Sequence, residues 1–532
     1  MNYEEKKDEV RNLFKKFKGD PIESLIIVDA IQRLGLDHHF QEEIETLILL
    51  QQQYYEYDID SNMICVHKYQ TLHDVSLFFR LLRQHGHYVS ADVFNKFKGK
   101  DGKFMREIRG DINGLMELYE AVQLSFEGEF VLDEANKFSS QILHEYLVAN
   151  YTDSDWSKML LISNKLRHPF HKSIPRLILM TERNFKDFGG RMNDSGTTLR
   201  ELASMDLQMR QSVYQEELLQ ITKWRNEVGL ANKNDLKHAR NQPLKWYTWS
   251  MAILIDDSSF SWQRVEFTKS VAFIYLIDDI FDLYGTLDEL ISFTEAVNRW
   301  DYAAIETLPN YMKMCYRALL DTTNEIGCKI YEKHGYNPID SIKTTWVNLC
   351  NAFLIEAKWL ASGDLPPANE YLENGKVSSG VHVLLVHLFF LLGHGQANFN
   401  RPAGAVQLND INQIISSVAT ILRLMNDLGT AKDEHQDGKD GSYVECYRKE
   451  NVGLSIEQAR EHVNDMVASE WKRLNKECFF NLNHVSSASS FIKASLNLAR
   501  MVPLVYSYDE NQRLPVLEYV NFMFFNQDKT TI

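Results

Sequence analysis

Apolar residues recur every three or four positions along most of this chain, the spacing that gives a helix one buried face. "DPIESLIIVDAIQRLGL" and "FQEEIETLILLQQQYYEY" show the pattern near the start, and "TLHDVSLFFRLLRQHGHYVSADVFNKF" repeats it around a Gly-His turn. No segment recurs at a fixed period, which argues against a helical solenoid. "RNFKDFGGRMNDSG", residues 183 to 196, is the most loop-like stretch of the first half, and helical patterning resumes at Thr197. The pattern predicts an all-α protein in two parts, an N-terminal helical domain over residues 1–200 and a second over 201–532. Every cluster with evident chemistry falls in the second part.

The first cluster lies in "FIYLIDDIFDLYGTLDEL", residues 273 to 290, which sets Asp278, Asp279 and Asp282 among apolar residues. Gly285 is placed to close the helix in a left-handed conformation. Thr286, followed three residues later by Glu289, reads as a capping box that opens the next helix. Asp278 and Asp282, at i and i+4, are then expected on one face of a helix that ends just past them. Carboxylates there meet the negative end of the helix dipole, at about 0.3–1 kcal/mol each unless a cation compensates. A solvated helix end has no need of the Phe-Ile-Tyr-Leu-Ile run that leads into it.

A second cluster lies in "ILRLMNDLGTAKDEHQDGKDG". Asn426, Thr430 and Glu434 form one stripe along a helix, and Arg423 adjoins it. Both apolar helices thus end in hard oxygen donors, which suit Mg²⁺, an ion that commonly completes its shell with substrate phosphates. An EF-hand reading of "DEHQDGKDG" fails, because the twelfth position from Asp433 is Val444 rather than a bidentate glutamate.

Composition narrows the classes. At 532 residues, with 44% hydrophobic and 24% charged residues, the chain is long enough for two or three domains with large cores. Its 11 prolines and 25 glycines are few for that length and favour long helices. A net charge of −16 argues against nucleic acid as a partner. An anionic substrate must therefore be met by a local positive site or by metal ions. The 6 cysteines are scattered without a CxxC pair, as in reduced thiols rather than a disulfide framework or a zinc site. "VHVLLVHLFFLL" is too short to span a bilayer.

"DDIFD", Asp278 to Asp282, resembles the aspartate-rich motif of plant terpene synthases, and "NDLGTAKDE", Asn426 to Glu434, resembles their second metal motif. The spacing between the two suits that family. So do "QRLGLDHHFQEEI" near the start, "HPFHKSIPRL" and "GSYVECYRKE". The resemblance covers nearly the whole chain. It implies an N-terminal helical domain followed by a class I terpenoid synthase bundle that ionises a prenyl diphosphate with about three Mg²⁺ ions, Mn²⁺ being an alternative. Carried over, Asp278, Asp279, Asp282, Asn426, Thr430 and Glu434 are metal ligands. Arg240, Arg423, Asp278, Asp282 and Asn426 meet the diphosphate, and Trp249 lines the pocket. Asp278, Asp282 and Arg423 carry the catalytic role. A monomer is expected.

Several positions depart from the family's cyclising members. Their Arg-x-Arg pair reads Arg240-Asn-Gln242 in "HARNQPLKWYTW", and no adjacent arginine pair occurs anywhere in the chain. A guanidinium lost from about 6 Å forfeits up to ~2.8 kcal/mol per charge pair at an effective dielectric near 20. "YSYDENQRLP" keeps Tyr506 but has Asn511 and Arg513 where many cyclases place Asp and Tyr. These departures resemble the branch that makes acyclic alcohols, linalool from geranyl diphosphate and nerolidol from farnesyl diphosphate, and that is the product expectation. A cyclic or olefinic terpene synthase is the alternative, and a non-catalytic helical interaction protein the distant one. A chain-elongating prenyltransferase would carry two aspartate-rich motifs, and a class II cyclase an Asp-x-Asp-Asp motif that is absent here. The start, "MNYEEKKDEVRNLFKKF", is unlike a signal or transit peptide, so a cytoplasmic location is expected, or a plastid one if a targeting segment has been removed.

Overall fold

The structure is a computed structural model that describes residues 2–60, 69–149, 156–174, 193–231, 239–255, 258–395, 408–433, 441–482 and 489–506. Helices fill almost all of these segments, and no β-strand forms among the described residues; one isolated antiparallel bridge joins Lys98 to Phe104. The chain divides into a unit ending at Arg210 and a second beginning at Gln211. That division falls inside the helix Asn193–Glu227, which opens within the stretch read as loop-like; residues 183–192 lie outside the described residues.

Local signals set the helix ends. Asp20 caps Pro21–Arg33, accepting from the backbone N–H of Ile22 and Glu23, with proline at the first helical position. Thr71 caps Leu72–Gln84 in the same way, and Gly86 (φ 79°) supplies the turn expected after it. The Thr286/Glu289 capping box forms as read. In the first unit the fully buried Arg80 donates to Glu117 and Asp29, both at 2.6 Å.

The "DHHF" segment also has a structural account. The Tyr3 hydroxyl meets His39 Nε2 at 2.6 Å, and His39 Nε2 lies 2.9 Å from Asp206 Oδ1. Arg210 donates to Asp206 at 2.9 Å and meets His38 Nε2 at 2.8 Å. A guanidinium among these groups gives Asp206 its counter-charge without a metal ion.

In the second unit, Ser261–Asp279 packs against Pro243–Ile253, Asn310–His334 and Val381–Leu391. Asn412–Asp433 packs against Ala368–Ser378, Ile456–Lys476 and Ser489–Tyr506. Ile339–Ser362 lies against Leu287–Arg299 and Ala368–Ser378. A fully buried ion pair braces this bundle. Arg264 donates to both oxygens of Glu217, at 2.8 and 2.7 Å, and to the Leu254 carbonyl at 3.0 Å; the Tyr247 hydroxyl donates to Glu217 at 2.5 Å.

The apolar helix Val381–Leu391 is a core helix, and no described helix is long and apolar enough to cross a membrane. Its histidines stay neutral because burial pushes both imidazoles down to about 4, with His382 against the Thr345 carbonyl and His387 against that of Val383. Cys315, Cys328, Cys350, Cys446 and Cys478 are free thiols.

Candidate active site

Asp278 and Asp279 end the α-helical part of Ser261–Asp279, and Asp282 lies in the wider turn that continues directly from it. Residues Ile280–Tyr284 widen into a π-turn, closed by a bond of 2.9 Å from the Gly285 N–H to the Ile280 carbonyl. Gly285 itself is extended (φ −78°, ψ 133°), not left-handed as expected. Glycine there leaves space for the buried Leu290 side chain: a Cβ would sit 2.4 Å from Leu290 Cδ2 and force that side chain to shift.

The three aspartates differ in their surroundings. Asp279 is buried and bound to Arg240 twice, by the backbone N–H at 2.5 Å and by Nε at 2.7 Å. Asp278 is partly open and accepts from Arg240 NH2. Asp282 is exposed at the end of the group. Loss of solvent raises the Asp278 carboxyl above the usual range, Arg240 opposing, with Asp279 and Glu356 adding repulsion. Although Asp282 as a whole is exposed, its carboxyl is pushed up to about 7, first by loss of solvent on the side facing the cluster and then by the negative field of Asp278 and Glu356, against the pull of Arg240.

Glu356, on Ile339–Ser362, is the carboxylate the sequence reading passed over. It bears on both aspartates and pairs with Arg423 at 3.2 Å. Arg423 is held further by the Tyr371 hydroxyl, 3.0 Å from Nε, and by Asp427 at 3.3 Å. Asp427 is buried and accepts from Tyr371 (3.2 Å) and from the Tyr443 backbone (2.9 Å), so it positions Arg423 from behind. Glu356 therefore stands where the two sequence motifs meet.

Tyr506 makes a second connection. It is hydrogen-bonded to Asn426 and lies in the field of Asp278 and Arg240, and burial pushes its phenol well up. Its backbone also closes on the helix of the second motif, where a Cβ on Gly429 would fall 2.3 Å from the Tyr506 carbonyl oxygen. Thr430 continues that helix in its backbone; its side chain and Glu434 lie outside the described residues. The aromatic wall is Tyr275, with the Arg240 guanidinium carbon 4.9 Å from its ring centre, and buried Trp249, whose indole donates to the Tyr275 hydroxyl at 3.0 Å.

The donor chemistry suits hard divalent cations: carboxylates that raise one another's affinity for protons are short of positive charge, and Arg240 alone does not cancel it. Residues 226–473 match the terpene synthase family metal binding domain, and residues 1–166 match the terpene synthase N-terminal domain. A chloroplastic tricyclene synthase of Antirrhinum majus is 62% identical over 525 residues, covering 98% of this chain and 87% of the relative. The chain belongs to the plant terpene synthase family.

More distantly, this synthase is 48% identical over 519 residues to an (E)-nerolidol synthase of Cannabis sativa, covering 96% of this chain and 90% of the relative. The crystal structure of isoprene synthase from grey poplar, in complex with three Mg²⁺ ions and dimethylallyl-S-thiolodiphosphate, superposes with a TM-score of 0.85 at 31% identity, over 98% of this chain and 96% of that one. The synthase is thus a lyase acting on a prenyl diphosphate, with the all-α class I fold. The expectation of acyclic products fits these relatives less well than its alternative, because the tricyclene synthases stand nearer in sequence than the nerolidol synthase.

Proposed function

We propose that this synthase is an Mg²⁺-dependent monoterpene synthase that ionises geranyl diphosphate and forms a cyclic hydrocarbon. The observation that carries the product class is the 62% identity to tricyclene synthases, tricyclene being a cyclic ten-carbon hydrocarbon. Asp278, Asp282 and Glu356 would hold metal on one side of the site, and Asn426, Thr430 and Glu434 on the other. When bound, Mg²⁺ supplies the positive charge that makes diphosphate a leaving group.

The protein's own residues do the rest. Asp279 takes the Arg240 backbone N–H and Nε, which fixes the guanidinium plane, and Arg240 NH1 makes no hydrogen bond among the described residues. Arg423, anchored by Tyr371 and Asp427, presents a second fork for phosphate oxygens. The Trp249 ring would stabilise an allylic cation and exclude water from it, while the Tyr275 ring already faces the Arg240 guanidinium. The chloroplastic setting of the Antirrhinum majus tricyclene synthases supports a plastid location over a cytoplasmic one.

Product analysis with geranyl and farnesyl diphosphate offered separately tests this reading. A cyclic ten-carbon hydrocarbon is expected to dominate from geranyl diphosphate, with EDTA abolishing turnover. The second reading, linalool or nerolidol as main product, is favoured by Gln242, whose side chain is exposed and places no charge in the site. Either alcohol as the dominant product would establish it over the first.

Glu356→Gln provides a separate check on the metal set. Losing this carboxylate charge is expected to raise the Mg²⁺ concentration for half-maximal turnover about tenfold or more. An unchanged Mg²⁺ curve would leave Glu356 as an anchor for Arg423 alone.

A further inference from the structure

Gln242 leaves one of the two cation positions of the arginine pair empty, yet the site is not short of a second cation. Lys245 lies three residues on, in the first turn of Pro243–Ile253. It is half-buried, with Nζ 5.3 Å from the centre of the Tyr275 ring that the Arg240 guanidinium also faces. Among the described residues the Lys245 ammonium forms no ion pair and no hydrogen bond; its further electrostatic contacts are repulsion from Arg240 and attraction to Asp279, which already carries two bonds from Arg240.

Most of this placement works against folding, and only the Tyr275 ring and the charge of Asp279 offset it. A lysine ordinarily runs its stem along the protein and keeps its ammonium in water. The first turn of a helix is the positive end of its dipole, where a cation is disfavoured. Burial and the neighbouring guanidinium both depress the ammonium's proton affinity. A charge kept at such a place stores a cost that a bound anion would remove.

We infer that Lys245 is the second diphosphate-holding cation of this site, filling the role left open at Gln242. The assignment rests on the terpene synthase reading given above. In the reaction, the C1–O bond of geranyl diphosphate breaks with both electrons passing to the diphosphate oxygen. Recapture at the tertiary carbon forms a new C–O bond with that same pair, an isomerisation that needs no co-reactant. An ammonium beside Arg240 keeps the diphosphate in place for recapture, so ring formation survives without the second arginine.

The test compares Lys245→Met, Lys245→Arg and the double variant Lys245→Met/Gln242→Arg with the parent enzyme. The readouts are inhibition by inorganic diphosphate with Mg²⁺, KM for geranyl diphosphate, the cyclic-to-acyclic product ratio and Tm. Lys245→Met is expected to weaken diphosphate inhibition about tenfold and to move products toward acyclic compounds. Lys245→Arg and the double variant should restore both properties. Tm of Lys245→Met should rise, because a merely structural lysine would lower it on removal. An active parent enzyme whose Lys245→Met variant keeps its diphosphate inhibition and product ratio would overturn the role of Lys245 while leaving the family reading intact. A parent enzyme that neither turns over nor binds any diphosphate would overturn both.

Discussion

Replacing Asp278 by alanine is expected to lower kcat/KM by at least about a thousandfold, ~4 kcal/mol of transition-state stabilisation, without loss of Tm. The two outcomes have one cause. Burial and the neighbouring carboxylates raise the Asp278 carboxyl above its usual range. A carboxylic acid whose folded-state pKa is raised is destabilising when ionised, and that penalty grows as pH rises above its unfolded value. Removing it at neutral pH therefore relieves the fold while taking away the proposed metal ligand and the partner of Arg240 NH2. Asp282→Ala should behave alike, since its carboxyl is pushed up to about 7 by loss of solvent and by the negative field of Asp278 and Glu356. Steady-state rates, calorimetric Mg²⁺ titration and thermal melts on the same preparations separate these effects. Parent-like turnover in either variant would remove the metal assignment, and a large fall in Tm would make the loss of activity a folding effect.

The opposite pattern is expected at Arg264. Its guanidinium and the Glu217 carboxylate have almost no solvent contact, at 0% and 1% exposure. Arg264→Met leaves an unpaired carboxylate beside the Tyr247 hydroxyl, at a cost of about 3–5 kcal/mol. Removing both charges, in Arg264→Met/Glu217→Leu, should recover much of that loss, because the desolvation penalty goes with the pair. Denaturant melts of the single and double variants measure the difference. If the double variant is as unstable as the single one, Tyr247 and the Leu254 carbonyl depend on the ion pair for more than charge balance.

What the sequence revealed depended on how far apart the partners lie. Asp278, Asp282, Asn426 and Arg423 were legible because i, i+3 and i+4 spacing is a local property. The Thr286 capping box was legible for the same reason. Glu356 was not, since a lone glutamate in "FLIEAKWL" carries no mark of its partners, which come from other helices. Asp279 read as a metal ligand, and its oxygens are bound by Arg240, which reaches it from the segment before Pro243–Ile253. Gly285 was right in identity and wrong in reason, because the space it leaves for Leu290 is a packing fact. The acyclic expectation counted the charge at position 242 and had no means of seeing an ammonium brought to Tyr275 by the next helix.

The close approach of Tyr506 to Gly429 bears on how such enzymes can be recombined. A hybrid whose crossover lies between these residues would pair a helix from one parent with a terminal segment from another. Even a methyl group at 429 would then collide with the incoming backbone, and the misfit would be passed directly to Asn426. Crossovers placed before Asn412 keep both partners from one parent. In a library of shuffled genes, survivors should therefore inherit positions 429 and 506 together.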